Sequence, residues 1–260
     1  MGLVSIITAG DKAFFRHVEA GLRSFNLRMP EEVNRILTDR ISQWLFTPTP
    51  VATKNLKKEG VSPEKIFEVG DVMYDVALKH GLEVKAEGRV LKRLGISPKS
   101  YVLATVHRAE NTNDSNRMSV IVEAFRRVAK SMPVIWPLHP RTRKSLEKNG
   151  ILPCLVPHFH LIEPVGYLDM LQLEKHAAVI ATDSGGVQKE AFFHRVPCIT
   201  LRNETEWIEL VELGWNLLSP PRDTKSLVKN IMQAKLNEGL AKQVYGCGNA
   251  SEKITTALSP

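Results

Sequence analysis

The residue types that can move protons or hold anions gather in HVEAGLRSFNLRMPEE (17–32), TVHRAEN (105–111), PLHPRTRK (137–144) and ATDSGGVQKEA (181–191). In the last of these a buried strand is predicted to end at Thr182. A tight Asp183-Ser184-Gly185-Gly186 turn then starts a helix. Free N–H groups at a helix start suit a phosphate, and glycines let it approach closely. The Ser184 hydroxyl can add a bond, and Glu190, on the same helix, can meet neutral hydroxyls such as those of a ribose. A plain strand-to-helix turn with an N-cap explains the same spacing, and the sequence alone leaves both readings open.

His107 and Arg108 follow the predicted strand YVLATV, at the edge that lines the ligand crevice of open α/β sheets. Histidine can carry a proton near neutral pH, and arginine can hold a phosphate. A surface turn with two polar residues is the competing reading. His139 stands at the matching edge of the next strand, which favours an anion-facing crevice. In the first stretch, FFRHVEAG reads as a strand running into a glycine turn. Alternation puts His17 and Glu19 on one face, with Glu19 where the strand ends. Glu31 falls in the first turn of the next helix, with Arg35 one turn on. Both features favour an ionised carboxylate that could take a proton. Helix capping also accounts for Glu31, whereas Glu19 has an apolar, turn-like context.

The elements that must position these residues alternate. A helix is predicted over Glu31–Leu45 with Val33, Ile36, Leu37, Ile41, Trp44 and Leu45 on its inner face. A second helix follows Pro50 and stops at Gly60. Ile66–Val69 is read as a short buried strand, and a helix runs from Gly70-Asp71 to near Gly81. From Tyr101 onward, the strands YVLATV, PVIWP, FHLIEP and AAVIAT each precede a helix, and CITL follows the last. Apolar strands alternating with helices predict a parallel sheet covered on both faces. Asp223–Leu236 and Ser251–Leu258 read as closing helices. The expected organisation is a partial N-terminal Rossmann-like domain (1–83), a Rossmann-like nucleotide-binding domain (84–238) and a closing helix (239–260). KAEGRVLKRLG serves as the hinge.

Composition bounds the function. The chain has 260 residues, 43% of them hydrophobic, and a net charge of +7. That charge is spread along the chain; a solvated basic surface explains it, and attraction for an anionic small substrate such as a nucleotide is the functional reading. Without a basic stripe interleaved with aromatics, no nucleic-acid partner is expected. No apolar run is long enough to cross a membrane, and no signal peptide is evident. Sparse cysteines, Cys154, Cys198 and Cys247, suggest a reducing cytoplasm. Cys154, His158 and His160 match no standard metal spacing, so no metal is expected.

HVEAGLRS, RMPEEVNR, LFTPT, VGDVMYD, TVHRAEN, PLHP, TDSGGVQKEA, LRNETEW and YGCGNASEKI occur in the order found in the non-hydrolysing UDP-N-acetylglucosamine 2-epimerases, which the chain resembles from residue 17 to its end. Singly the motifs are weak; jointly they are specific. The resemblance implies an α/β, GT-B-like fold of two Rossmann-like domains, a homodimer, and a cytoplasmic role in supplying sugars for cell-surface polysaccharide. It implies inversion at C2 of UDP-GlcNAc by elimination and re-addition of UDP, with no cofactor. Glu19 and Glu31 match the acid/base carboxylates, and His107 the histidine near the leaving diphosphate. Ser184, Gly185 and Gly186 match the diphosphate cradle, and Glu190 the ribose contact. Arg108 and His139 match contacts to a second, regulatory UDP-GlcNAc.

Two departures from the family pattern stand out. A strand, a basic loop, several βα units and an aspartate in a GDT-type motif precede HVEAG in the family and are not found in this sequence. An incomplete N-terminal domain, with little or no epimerisation by this chain alone, is therefore expected. Trp207 stands where many relatives carry a substrate-contacting arginine, and Met170 where an aromatic flanks uracil. The TEW form also occurs in relatives acting on UDP-2,3-diacetamido-glucuronic acid. A non-catalytic UDP-sugar-binding protein is the other alternative.

Overall fold

The computed structural model describes residues 4–9, 12–81, 89–151, 156–236 and 238–259. The chain divides into two compact units: Met1–Lys79 with Lys242–Pro260, and His80–Ala241.

The first unit holds a four-stranded sheet, ordered β1-β2-β3-β4. β1 (Val4–Ala9) pairs antiparallel with β2 (Lys12–Val18). β3 (Trp44–Thr47) and β4 (Ile66–Glu68) extend the sheet in parallel. α1 (Pro30–Ile41), α2 (Pro50–Lys58), α3 (Val72–Gly81) and, near the chain's end, Ala250–Leu258 complete it. Pro30 and Pro50 start their helices, where a missing N–H costs nothing. Thr49 caps α2 by accepting the Ala52 N–H. The closing segment is tied into this unit, because Asp75 on α3 accepts the N–H groups of Ala250 and Ser251 at 3.1 and 2.8 Å.

Two expectations for this unit fail. Trp44 and Leu45 do not continue the helix: α1 ends at Ile41, Ser42 is extended, and WLFT forms β3 between β2 and β4. The inner face is also different. Leu37 and Ile41 are 58% and 57% exposed and Val33 is exposed too, while Glu32 and Asp39 are buried. Hydrophobic period alone misses this, since the two carboxylates are held by specific donors.

The second unit is built around a six-stranded sheet of parallel pairs, ordered β10-β9-β8-β5-β6-β7. Its strands are β5 (Val102–Thr105), β6 (Val134–Pro137), β7 (Phe159–Ile162), β8 (Val179–Thr182), β9 (Cys198–Thr200) and β10 (Asn216–Leu218). Counted from β5, the order is that of a dinucleotide-binding sheet, with the connection reversing between β5 and β8. Alternate residues feed opposite cores. Val102, Ala104, Val134, Trp136, Val179, Ala181 and Ile199 face one side, and Leu103, Ile135, Ile180 and Cys198 the other. α6 (Ser115–Val128) and α11 (Thr224–Ala234) supply Ile121, Phe125, Leu227 and Ile231 to the first core. α4 (Arg89–Leu94), α8 (Tyr167–His176) and α9 (Gly185–Phe193) supply Val90, Leu91, Leu173 and Ala191 to the second. Trp136 is fully buried between Phe125, edge-on at 5.2 Å, and Phe159, stacked at 6.2 Å. Asp114 and Asp223 cap α6 and α11 with their side chains.

Short α5 (Ala109–Thr112) and α10 (Ile208–Glu212), together with β10, go unpredicted because each is too brief to show a period. α7 (Pro140–Lys148) lies where a helix is expected. Of the expected hinge, residues 85–88 lie outside the described residues and the remainder begins α4. Among the described residues, no helix is long and apolar enough to cross a membrane.

Candidate functional site

The crevice at the β5/β8 reversal is organised by one buried carboxylate. Asp183, just past β8, accepts the backbone N–H of His107 at 3.0 and 3.1 Å and that of Arg108 at 3.0 Å. It also accepts the Asn111 amide at 2.9 Å, and Asn111 in turn donates to the Leu201 carbonyl. Thr105 and Thr182, at the ends of the two strands, share a 2.5 Å hydroxyl bond. The loop after β5 is thereby locked to the turn after β8, and His107 stands beside the start of α9. Reading the sequence assigned Asp183 only to the turn and missed Asn111. Their signal was weak: polar residues directly after an apolar strand.

Ser184 is the N-cap of α9, its Oγ accepting the Val187 N–H, and its own N–H donates to Thr182 Oγ1 at 2.9 Å. The space over Gly185 is occupied by side chains that would have to shift for any larger residue. A Cβ there would meet Glu206 Oε1 at 2.5 Å and Trp207 Nε1 at 3.4 Å. Over Gly186 the space is open, the nearest atom being Ser184 Oγ at 4.0 Å. The start of α9 thus presents helix N-terminal amides beside an open glycine, an arrangement suited to a phosphate group. Glu206, close to this turn, is neutralised by buried Arg202 at 2.9 Å and approached by Arg108 at 3.7 Å. Trp207 is buried and carries Lys189 Nζ 4.4 Å above its ring.

His107 and His139 come together with ring centres 5.5 Å apart. His139 caps α7, its Nδ1 accepting the Arg141 N–H. The His107 imidazole is held below its ordinary value: burial is the main cause, Asp183 opposes it, and His139, Arg108 and Arg141 add to it. Glu190 is buried rather than open, and it lies against a second buried carboxyl, Glu174 on α8.

In the first unit, Glu19 sits one residue past β2 with φ at +68° and is half-buried. The expected sharing of a face with His17 does not hold. The strand ends at Val18, Glu19 turns into the left-handed region, and His17 points into the core. His17 Nδ1 meets Asp39 Oδ1 at 2.6 Å. Asp39 Oδ2 also takes Arg23 at 2.7 Å and the Gly21 N–H at 3.2 Å. Arg23 extends this network to Glu59 through bonds of 2.7 and 2.8 Å.

Of the neighbouring carboxylates on α1, Glu31 is exposed and Glu32 is fully buried. Glu32 accepts the N–H groups of Ser24 and Phe25, the Ser24 hydroxyl and Arg35. Burial would raise its pKa, but the Ser24 N–H and Arg35 outweigh that, with Phe25 helping, and hold it below the usual carboxylate value. Glu32 and Asp39 thus hold the loop that carries Glu19, and neither was foreseen in that part. Cys154 lies outside the described residues, and His160 is in β7.

One sheet of parallel pairs with Rossmann-type order and a second that is parallel except for its β1–β2 pair define an α/β protein of GT-B-like class. Residues 4–259 match the family model for UDP-N-acetylglucosamine 2-epimerase, and the chain belongs to that family. It is 50% identical to a UDP-N-acetylglucosamine 2-epimerase homolog of Methanococcus maripaludis, over 93% of this chain and 68% of the relative. A UDP-2,3-diacetamido-2,3-dideoxy-D-glucuronate 2-epimerase of Pseudomonas aeruginosa is 47% identical, over 94% of this chain and 67% of that one. The crystal structure of the Methanocaldococcus jannaschii UDP-GlcNAc 2-epimerase, in complex with UDP-GlcNAc and UDP, aligns with a TM-score of 0.85 at 41% identity. It covers 94% of this chain and 68% of that one.

Proposed function

We propose that this protein is a nucleotide-sugar 2-epimerase that acts on UDP-GlcNAc and gives UDP-ManNAc. The observation that carries the reading is the Asp183-locked crevice, which sets His107 beside the open start of α9. The amides of Gly185 and Gly186 and the Ser184 hydroxyl hold the diphosphate, and Glu190 takes the ribose. In the reaction a carboxylate removes the C2 proton, and the C1–O bond breaks with its electron pair leaving on the β-phosphate. A C1=C2 double bond forms, giving 2-acetamidoglucal. UDP then adds back at C1 as C2 is reprotonated from the opposite face.

Glu19 and Glu31 exchange these protons. The helix-start amides and His107 stabilise the departing diphosphate, the part of the reaction where charge grows most. Arg108 and His139 contact a second, regulatory nucleotide sugar. The chain acts as a homodimer in the cytoplasm, a location consistent with sparse cysteines and a buried, unpaired Cys198.

A second substrate, the 2,3-diacetamido-glucuronate nucleotide, is favoured by the 47% identity to its Pseudomonas epimerase and by Trp207 beside Gly185. Deuterium wash-in at C2 tests both, with each UDP-sugar incubated in D2O at high protein concentration. Slow incorporation above a protein-free blank, lost in Glu19→Gln, is expected, and the preferred sugar is the one labelled faster. Labelling equal to the blank for both sugars would leave a nucleotide-sugar-binding protein without epimerase chemistry.

A further inference from the structure

The amino ends of β8, β9 and β10, at the edge of the sheet opposite the nucleotide crevice, border a cavity of about 380 Å³. Its floor is made by the residues that lead into the strands: Ala177 and Ala178 before β8, Pro197 before β9 and Trp215 before β10. Backbone bonds fix that floor. The N–H groups of Ala178, Ile180 and Cys198 donate to the carbonyls of Tyr101, Pro197 and Trp215 at 2.8, 2.9 and 2.9 Å. Trp215 Nε1 donates to the Leu240 carbonyl at 3.0 Å, and a Cβ on Gly239 would lie 2.6 Å from the indole.

Three cations, Lys99, Arg195 and Lys235, line the cavity against one carboxylate, Glu238. α8, α9 and α11 end at this edge, and basic residues commonly meet the carbonyls of helix ends. That accounts for Lys99, whose Nζ donates to the Lys175 carbonyl at 2.8 Å. It does not account for Arg195 and Lys235. Both are exposed, and among the described residues neither side chain makes a hydrogen bond or an ion pair, with Glu238 or with any other group. Lys99 and Arg195 also have φ at +58° and +52°, a region where glycine is the usual choice. The positive field extends to His194, next to Arg195 in sequence. Its imidazole is pushed down to about 4, by burial first and then by Lys175, Lys99 and His176.

We infer that this cavity is a binding site for the phosphoryl group of a small molecule, held by Arg195, Lys235 and Lys99. A guanidinium with ammonium groups beside it matches phosphoryl oxygens in charge and donor number. The volume lies within the range of small-molecule sites, roughly 300–1,000 Å³, and exceeds what a bare anion fills. The site and the nucleotide crevice are separated by the length of β8, roughly 13 Å of strand. It therefore stands or falls independently of the proposed nucleotide site.

The probe is inorganic pyrophosphate, titrated by calorimetry at constant ionic strength into the full chain carrying Gly186→Asp, so that the crevice contributes little. A Kd on the order of 1 mM is expected. Adding Lys99→Asn, Arg195→Asn and Lys235→Gln should weaken binding at least about tenfold; asparagine tolerates the left-handed backbone at the first two positions. Sulfate should bind at least about fivefold more weakly than pyrophosphate. Equal pyrophosphate binding with and without the three substitutions overturns the inference, as does no binding by Gly186→Asp alone. Sulfate binding as tight as that of pyrophosphate overturns it too, because a diffuse positive surface would then suffice. Should either variant fail to fold, wild-type crystals soaked in pyrophosphate decide. Density against Arg195 and Lys235 is expected there, and density only at the start of α9, or none, overturns the inference.

Discussion

Glu32 shows how a single side chain sets the first unit's loop. Its carboxylate gathers donors from Ser24, Phe25 and Arg35, so replacing it strands buried N–H groups. Glu32→Gln should cost on the order of 3 kcal/mol at pH 7, since charge-assisted bonds are lost in a dry site. The pH dependence has a definite sign. The folded carboxyl titrates below its ordinary value, so its contribution is complete at neutral pH. It declines once pH drops below the unfolded value and vanishes below the folded one. Melting temperatures of wild type and Glu32→Gln should therefore converge between pH 7 and pH 3. A gap that stays constant or widens contradicts this role. In sequence, Glu31 and Glu32 look alike, because either can cap a helix start. Only the loop that folds back from Ser24 distinguishes them. Asp39 was hidden for the same reason: its partners His17 and Arg23 lie on another element.

At the scale of elements, the second unit was readable wherever an apolar strand leads, directly or after a short turn, to a helix long enough to show its period. Val102 through Thr105 and Val179 through Thr182 are examples, and their ends carry the predicted His107 and Ser184. β3 was not readable, because WLFT directly follows a helix whose apolar residues it seemed to continue. Close packing of the loop onto α2 gives an element-level prediction. Gly21 has φ at +79°, and a Cβ there would meet the Ala52 carbonyl oxygen at 2.4 Å. Gly21→Ala should lower the melting temperature by an amount equivalent to roughly 2–4 kcal/mol, from strain and collision together. A melt unchanged within a degree would mean that this loop does not seat on α2 as described.

For the whole molecule, the relevant surface is the uncovered apolar face of the first unit. Val33, Leu37 and Ile41 repeat along α1, and Phe25 and Leu27 lie exposed in the loop before it. A face of that kind favours association. Sedimentation velocity should show self-association that weakens in Leu37→Lys, Ile41→Lys. A monomer at every concentration would contradict it. The central claim concerns the other unit: helix-start amides at Gly185 and Gly186 grip a nucleotide's diphosphate. Gly186→Asp is the cleanest probe, because its Cβ meets nothing nearer than 4.0 Å and so tests charge rather than packing. Titration calorimetry with UDP should give a Kd on the order of 100 µM for wild type and a loss of at least about tenfold in Gly186→Asp at unchanged melting temperature. Equal heats from the two proteins would contradict the account.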